Sequence, residues 1–166
     1  MIKMAAKPKL NVHNFPRPPL LERTPRKLVI KWAEKEVLST TSAFWVLETT
    51  HPPTYYIPKV DMSNAFTLTQ VPGKTSLCEW KGRATYWSIK NPDTGEEVHS
   101  RIWSYESPTK EFTDIKGYLS FYASGVPWDC YVDDEKVEPQ PGDFYGGWKT
   151  SDIEGPLKGG PGTWGW

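Results

Sequence analysis

The chain of 166 residues is long enough for one domain with a buried core, and aromatic residues make up 14% of it. This aromatic content excludes a disordered chain, because disordered segments are poor in aromatic residues. No apolar run approaches the roughly 20 residues of a membrane-spanning helix. Residues 1–10 also lack the apolar stretch of a secretory signal. The sequence therefore predicts a soluble globular protein that does not cross a membrane.

The formal net charge is zero, but the basic residues are concentrated at the start of the chain. Residues 1–27 contain seven Lys or Arg and one acidic residue, Glu22. A basic segment can touch nucleic acid or an acidic surface, but a solvated extension is the commoner case. We therefore do not expect a nucleic-acid partner.

The two cysteines, Cys78 and Cys130, cannot form a Cys₄ zinc site, and no His stands near either in a ligand spacing. We predict that the protein holds no metal and no cofactor. A disulfide between the two cysteines stays open. So low a cysteine content is typical of a reducing compartment, and it predicts a cytoplasmic location.

The chain divides into three parts by composition. Residues 1–26 contain five of the sixteen prolines, which predicts an extended basic segment without a core of its own. Residues 27–140 form the predicted domain, with short runs of β-branched and aromatic residues that are typical of strands. The predicted strands are 27–32, 36–40, 54–57, 83–89, 98–105, 118–122 and 130–132. Residues 43–47 are too short a run to distinguish a strand from a helical turn.

The turn and helix-capping residues between these runs predict a hairpin and one short helix near 108–116. A turn at 91–95 joins the strands 83–89 and 98–105. Ser107 can cap the helix, Pro108 takes its first position, and Gly117 ends it. Many short strands with one helix predict a mainly β domain with antiparallel sheets.

Residues 141–166 contain eight of the thirteen glycines, together with Trp148, Trp164 and Trp166. No strand or helix periodicity is present there. A glycine-rich segment without aromatic residues is a flexible linker, whereas the rings here predict an irregular arm that docks on a surface. That surface can belong to the same chain or to a second copy, so the arm is also a candidate contact for a homo-oligomer.

The first candidate functional cluster lies in residues 48–58, a segment that contains three prolines. Glu48 and His51 bring together a carboxylate and an imidazole, which are the usual groups for general acid–base catalysis near neutral pH. Tyr55 and Tyr56 add two phenols. The alternative is structural: His51 caps a turn, and the tyrosines pack in the core.

The second cluster lies around a predicted bend at Lys81 and Gly82. Lys81 can meet an anionic or carbonyl group there, or it can be a solvated lysine in a turn. In the strand that follows, alternation places Tyr86 on one face with small residues, which suits a pocket wall, and Trp87 on the other face. Trp80 directly precedes the bend.

The third cluster is 102–108, where alternation places Trp103 and Tyr105 on one face. Glu106 stands just before the predicted helix, where it either complements the helix dipole or faces the same cavity as the rings. The predicted catalytic residues are Glu48, His51, Lys81 and Glu106. The predicted ligand-binding rings are Tyr55, Tyr56, Trp80, Tyr86, Trp87, Trp103, Tyr105 and Tyr122.

These motifs resemble the domain-of-unknown-function family DUF427, which also carries a nucleotidyltransferase-like label. The resemblance rests on Glu-Thr-x-His-Pro-Pro-Thr-Tyr-Tyr-Ile-Pro at 48–58 and Lys-Gly-x-Ala-x-Tyr-Trp-Ser at 81–88. It also includes Trp-Ser-Tyr at 103–105 and Ile-x-Gly-Tyr-x-x-Phe-Tyr at 115–122. Two positions depart from the family pattern: Thr40 replaces a common Asp, and Glu79-Trp80 replaces Pro-Tyr.

The resemblance implies a β-tent fold, similar to that of Mss4-like proteins, in which two antiparallel sheets meet at an angle and a small ligand binds between them. The paired cysteines that hold zinc in many β-tent proteins are missing here. No Gly-Ser followed by Asp-x-Asp is present to support nucleotide transfer. We therefore expect a cofactor-independent enzyme of the isomerase, cyclase, lyase or hydrolase type that acts on a small organic molecule. The alternatives are a non-catalytic module with an aromatic cage and an interaction protein that docks through its terminal arms.

Overall fold

The computed structural model describes residues 8–163, 165 and 166. Two parts of the predictions lie outside these residues, namely Trp164 and the first lysines of the basic segment. Within the described residues, regular structure consists of short strands and three 3₁₀ helices. The strands are, in chain order, β1 (Leu10–Asn11), β2 (Leu20–Arg23), β3 (Leu28–Trp32), β4 (Lys35–Thr40), β5 (Phe44–Leu47), β6 (Thr54–Tyr56), β7 (Thr67–Cys78), β8 (Gly82–Lys90), β9 (Glu97–Ser104), β10 (Leu119–Phe121), β11 (Trp128–Val132), β12 (Glu135–Lys136), β13 (Glu138–Pro139), β14 (Trp148–Lys149) and β15 (Ile153–Glu154).

Two four-stranded antiparallel sheets form the body of the protein, which confirms the predicted mainly β, antiparallel class. Their strand orders are β10-β9-β8-β7 and β12-β11-β3-β4. A third sheet has the order β2-β5-β6. Reciprocal backbone hydrogen bonds between Ile57 and Leu119, of 2.7 and 2.8 Å, connect the end of β6 to the start of β10. This connection brings β6 beside the strands that carry the second and third clusters.

The local signals explain most of these elements. The predicted hairpin is confirmed as β8 and β9, which pair on either side of the 91–95 turn. The side chain of Asn91 stabilises that turn by accepting a hydrogen bond of 2.8 Å from the backbone N–H of Asp93. Between β3 and β4, Ala33 and Glu34 have φ of 50° and 67°, as the tight two-residue turn between antiparallel strands requires.

The predicted helix is present as a 3₁₀ helix, Lys110–Ile115, with Thr109 rather than Ser107 at its N-cap. Its two buried residues, Phe112 and Ile115, are three positions apart. A 3₁₀ helix has three residues per turn and aligns these positions on one face, whereas an α-helix offsets them. The other 3₁₀ helices are Val12–Asn14 and Lys59–Asp61.

The buried apolar side chains form two clusters. The larger lies on the β3 and β11 side of the molecule and includes Leu28, Ile30 and Trp128. The smaller includes Tyr56, Trp103, Tyr105, Phe112 and Ile115. The smaller cluster borders the candidate functional site.

Both terminal segments pack on the domain between them. The N-terminal segment supplies Val12 and Phe15 to the larger core, and the arm supplies Trp148, whose indole N–H donates a hydrogen bond of 2.9 Å to the carbonyl of Phe121. β1 pairs with β15 in parallel, which joins the two segments directly. No helix of the described residues is long and apolar enough to cross a membrane.

A buried ion pair strengthens the junction of the two terminal segments. Arg26, 6% exposed, donates a hydrogen bond to Asp152, which is 4% exposed. Arg26 also donates to the hydroxyls of Tyr55 and Thr150, each at 3.3 Å. The guanidinium therefore has several oxygen partners, as a buried charge requires.

Candidate functional site

A cavity of about 300 Å³ lies where β5, β6, the end of β7, β8 and β9 come together, and residues 140–158 form its remaining side. Nine of the residues that the sequence suggested as functional line it: Glu48, His51, Tyr56, Trp80, Lys81, Tyr86, Trp103, Tyr105 and Tyr122. The three clusters, which are separated along the chain, are thus neighbours in space.

Three of the suggested residues lie outside the cavity, and strand alternation gives the reason for each. Tyr55 points away from its neighbour Tyr56 into the larger core, where it packs against Trp45 and Trp148. Trp87 points away from Tyr86, and its indole N–H donates a hydrogen bond of 2.9 Å to Ser104. Successive side chains of a strand face opposite sides, so Tyr55 and Trp87 point away from the wall that Tyr56 and Tyr86 form.

Glu106 is the third residue outside the cavity. It lies on the opposite side from Trp103 and Tyr105 and accepts a hydrogen bond of 2.7 Å from the hydroxyl of Ser104. Its Oε1 is 3.6 Å from the Nζ of Lys59, and its side chain is 43% exposed. This carboxylate is therefore a half-exposed surface group beside Trp87.

Lys81 provides the buried charge of the cavity. The residue is 9% exposed, and its ammonium lies 5.8 Å from the ring centre of Tyr105 and 5.9 Å from that of Phe112. Among the residues that the structure describes, it forms no salt bridge with a carboxylate. The next residue, Gly82, has a φ of 106°, which favours glycine, so the bend that aims Lys81 inward depends on this pair.

The protonation state of Lys81 follows from two opposing effects. Burial by itself lowers its pKa, but the combined electrostatic influence of Tyr56, Cys78 and Glu48 raises the pKa by more, so the net value lies above that of a free lysine. The side chain is an ammonium at neutral pH and not a nucleophilic amine. This state favours electrostatic stabilisation of a ligand oxygen over formation of a Schiff base.

Tyr56 brings a buried hydroxyl to the same wall. The residue is fully buried, and its hydroxyl has no hydrogen bond of good geometry among the described residues, although the polar atoms of Trp103 and Tyr105 are near it. Burial raises the pKa of Tyr56, so the phenol stays neutral and keeps its proton to donate. A buried hydroxyl without a partner costs free energy, and a ligand in the cavity can remove that cost.

His51 is held as a neutral ring with a defined tautomer. The side-chain amide of Gln140 has a defined orientation. Its oxygen accepts a hydrogen bond of 3.2 Å from the backbone N–H of Gly147, and its Nε2 donates one of 2.8 Å to the carbonyl of Lys158. The same Nε2 lies 3.0 Å from His51 Nδ1, which must therefore accept. The proton of the neutral ring is then on Nε2, which has no hydrogen-bond partner among the described atoms.

The environment of His51 keeps it neutral over the physiological range. Burial, together with the nearby ammonium of Lys158, lowers the pKa of His51 to about 4. Protonation of Nδ1 would also set an N–H against the N–H of Gln140. His51 is therefore suited to donate a hydrogen bond from Nε2 and not to accept a proton there.

Glu48 is the carboxylate that remains for proton transfer. Its Oε2 lies 3.5 Å from His51 Nε2 and 3.5 Å from a guanidinium nitrogen of Arg17. Its side chain is 19% exposed, so it is partly screened from water while still facing the cavity. A carboxylate at this position can accept a proton from a ligand.

The C-terminal arm closes one side of the cavity, and two glycines permit its close approach. A Cβ on Gly146 would lie 2.1 Å from Trp103, and a Cβ on Gly147 would lie 2.7 Å from Pro52. Tyr145 packs edge-on against His51, with 4.8 Å between ring centres. The docking of the arm, expected from its tryptophans, thus also builds a wall of the site.

The remaining lining residues were not singled out from the sequence. They are Val46, Thr54, Ser76, Leu77, Cys78, Glu79, Gln140, Phe144, Tyr145, Gly146 and Lys158. The even residues of β6 share the cavity face with Tyr56, so alternation could have identified Thr54. Gln140 had no local signal, because its role depends on contacts with distant segments. Within the described part of the chain, no three His, Cys, Asp or Glu residues are grouped to hold a metal ion, and neither cysteine forms a disulfide.

Comparison with known protein families gives one match. The family described as a domain of unknown function, DUF427, matches residues 20–138, which is most of the chain. The chain belongs to this family. A comparison with curated proteins finds no match. The DUF427 region includes every candidate residue on β5, β6, β8 and β9, and it ends just before Gln140 and the arm.

Proposed function

We propose that this DUF427 protein is a cofactor-independent enzyme that carries out acid–base chemistry on a small organic molecule in the cavity. One observation carries the proposal: Glu48 and His51 from one segment and Lys81 from another line one space of about 300 Å³ with aromatic rings in its walls. A site of this kind, mostly ring-lined with a few convergent polar groups, is typical of small-molecule binding.

The chemistry that these groups support is proton transfer next to a carbonyl. Glu48 accepts a proton from a carbon beside the carbonyl, and the electrons of that C–H bond move to the carbonyl oxygen. The Lys81 ammonium and the Tyr56 hydroxyl stabilise the enolate that forms. Return of the proton from Glu48 to a different carbon gives an isomer, and loss of a neighbouring leaving group gives an elimination product.

His51 has a positioning role in this scheme. Because its Nδ1 accepts from Gln140, it cannot take a proton at Nε2 without losing its tautomer. Its protonated Nε2 lies 3.5 Å from Oε2 of Glu48 without a hydrogen bond between them. A small approach of the carboxylate would make that hydrogen bond, through which His51 orients the base.

Two of the alternative functions are less well supported. A cage for a cationic ligand would place a second positive charge near the buried Lys81 ammonium, which is unfavourable at low dielectric. Association through the arm competes with its packing on its own chain, where Trp148 is 1% exposed. A homo-oligomer, a β-tent arrangement of the sheets and a cytoplasmic location stay predictions.

The experiment is hydrogen–deuterium exchange into carbonyl compounds, since it detects enolisation without knowledge of the product. The protein is incubated in D₂O with 2-tetralone, phenylacetone and phenylpyruvate, and NMR follows loss of the proton beside each carbonyl. We expect exchange above the buffer rate with at least one compound, and a reduction of about 100-fold or more in Glu48→Gln.

The matched control is Glu36→Gln, which removes an exposed carboxylate on β4, away from the cavity. Its exchange rate should equal that of the unmodified protein. Equal rates in Glu48→Gln and Glu36→Gln would remove Glu48 as the base. An absence of exchange above buffer with all three compounds would count against enolisation as the chemistry of the site.

A further inference from the structure

The polar groups of the cavity are unequal in burial, and this inequality bears on the ligand's charge. Lys81 is buried and forms no salt bridge among the described residues, whereas Glu79 is an exposed residue that also lines the cavity. The Glu48 carboxylate has Arg17 on one side and His51 on the other. Buried charges interact more strongly than exposed ones, because water and salt screen the latter. The interior of the cavity is therefore positive before a ligand enters.

Two further donors lie on the same walls. The hydroxyl of Tyr56 and the Nε2–H of His51 are both buried, and neither has a hydrogen-bond partner among the described residues. Both residues line the cavity with Lys81. The Glu48 carboxylate lies 3.5 Å from the His51 nitrogen, so the ammonium of Lys81 and the phenol of Tyr56 are the donors left for a ligand. Such a pair suits a carboxylate oxygen.

The mouth of the cavity is apolar, in contrast to the polar interior. Leu77 and Phe144 line the cavity but are 75% and 73% exposed, and both are among the few large apolar side chains left in solvent. The rings of Trp80 and Tyr86 line the same cavity. An apolar body that reaches from the interior to the surface would cover these groups.

We propose that the cavity takes an amphipathic carboxylate, with the carboxylate on Lys81 and Tyr56 and a flat apolar body extending between Leu77 and Phe144. A 2-oxo acid also satisfies the enolisation scheme, because its carboxylate and its reacting carbonyl oxygen lie side by side and share these two donors. This inference names the ligand class for the enzyme proposed above and rests on that proposal for its biological meaning. The binding it describes does not require turnover. An aromatic or conjugated acid meets the description.

The test compares carboxylates with their uncharged amides. Isothermal titration calorimetry measures the binding of 2-naphthoate, cinnamate and benzoate, each against the corresponding amide, up to about 5 mM. We expect at least one carboxylate to bind about tenfold or more tightly than its amide, because a charge-assisted hydrogen bond is lost in the amide. Binding of the amide with equal affinity, or no binding of any carboxylate at that concentration, overturns the proposal.

Variants assign the preference to the predicted groups. Lys81→Met should weaken the carboxylate about tenfold or more and leave the amide unchanged, since methionine keeps the apolar length of the side chain. Lys31→Met is the matched control, because it removes an exposed ammonium on β3 that does not line the cavity. It should change carboxylate affinity less than twofold. Equal carboxylate affinity in Lys81→Met and the unmodified protein would contradict the proposal.

A second variant covers the case in which Lys81→Met does not fold, as judged by circular dichroism. Tyr56→Phe removes one hydroxyl that has no protein partner, so the fold should be retained. Its carboxylate affinity should fall a few-fold with no change for the amide, and an unchanged preference would count against the proposal. Failure of this inference is distinguishable from failure of the enzyme proposal. A binding module prefers the carboxylate to the amide in the titrations but shows no hydrogen–deuterium exchange in D₂O. An enzyme for neutral ligands shows exchange in D₂O but no preference for the carboxylate.

Discussion

Gly146→Ala should loosen the wall that the C-terminal arm contributes to the site. An ideal Cβ at this position lies 2.1 Å from Cη2 of Trp103, and 2.9 and 3.0 Å from two further ring atoms. An ordinary contact needs at least 3.4 Å, so the arm or the indole must move by more than about 1 Å. Trp103 cannot yield easily, because it is 7% exposed and packs against Tyr122 with 4.7 Å between ring centres.

The cost of such overpacking is about 1–3 kcal/mol. For a chain of this length, each kcal/mol lowers Tm by roughly 2–4 °C. We expect thermal unfolding followed by circular dichroism to show this decrease for Gly146→Ala. Hydrogen exchange should also become faster in residues 141–150, where the arm is displaced.

Gly160→Ala is the matched control within the same arm. A Cβ there would meet only Pro141, at an ordinary distance of 3.8 Å, and neither glycine has a positive φ. Its Tm should therefore equal that of the unmodified protein or exceed it slightly. If Gly146→Ala and Gly160→Ala had the same Tm and the same exchange rates, the arm would not be seated on Trp103.

Two further predictions concern stability. The folded pKa of His51, about 4, is below the ordinary value of 6.5. The stability tied to its neutral form is therefore complete above pH 6.5 and is lost as the pH falls toward 4. Urea unfolding should show up to about 3 kcal/mol more acid destabilisation in the unmodified protein than in His51→Gln, and parallel pH profiles of the two proteins would refute this. Asp152→Ala should cost about 3–5 kcal/mol by leaving Arg26 buried without its carboxylate, and Arg26→Met with Asp152→Leu should cost less than the single change. A single change that cost less than the double one in the same unfolding assay would contradict this account.

Strand positions could be predicted where a strand has one buried face, and not where it has none. β8 and β9 alternate, and the turn between them is marked by Asn91 and Gly95. β7, the longest strand at 12 residues, was missed because it is a mostly exposed edge strand, interrupted by a register shift between Gln70 and Thr75. Its residues have neither a hydrophobic run nor a regular period.

The sequence predicted the types of residue at the site but not which of the candidates line the cavity. Alternation correctly placed Trp103 and Tyr105 on one face, but which face borders a cavity depends on the neighbouring sheet. Tyr55 and Tyr56 look alike in sequence, and only the packing of Trp148 on one side and Lys81 on the other separates a core residue from a site residue. Glu48 and Glu106 are also alike in sequence, and only the tertiary structure places Glu48 in the cavity wall and Glu106 at the surface outside it.

The sequence by itself determined the mainly β class, the hairpin, the family and the residue types available for acid–base chemistry, because these depend on local periodicity, turn residues and recognisable motifs. The tertiary structure alone decided that Lys81 is a buried cation with no salt bridge to any described residue, that Gln140 fixes the tautomer of His51, and that the arm completes the cavity. The physical reason is the separation along the chain between the residues that interact. Turns and alternation act between residues near in sequence, whereas burial, charge and hydrogen-bond satisfaction at the site depend on distant segments, such as those of His51 and Gln140, which are 89 positions apart.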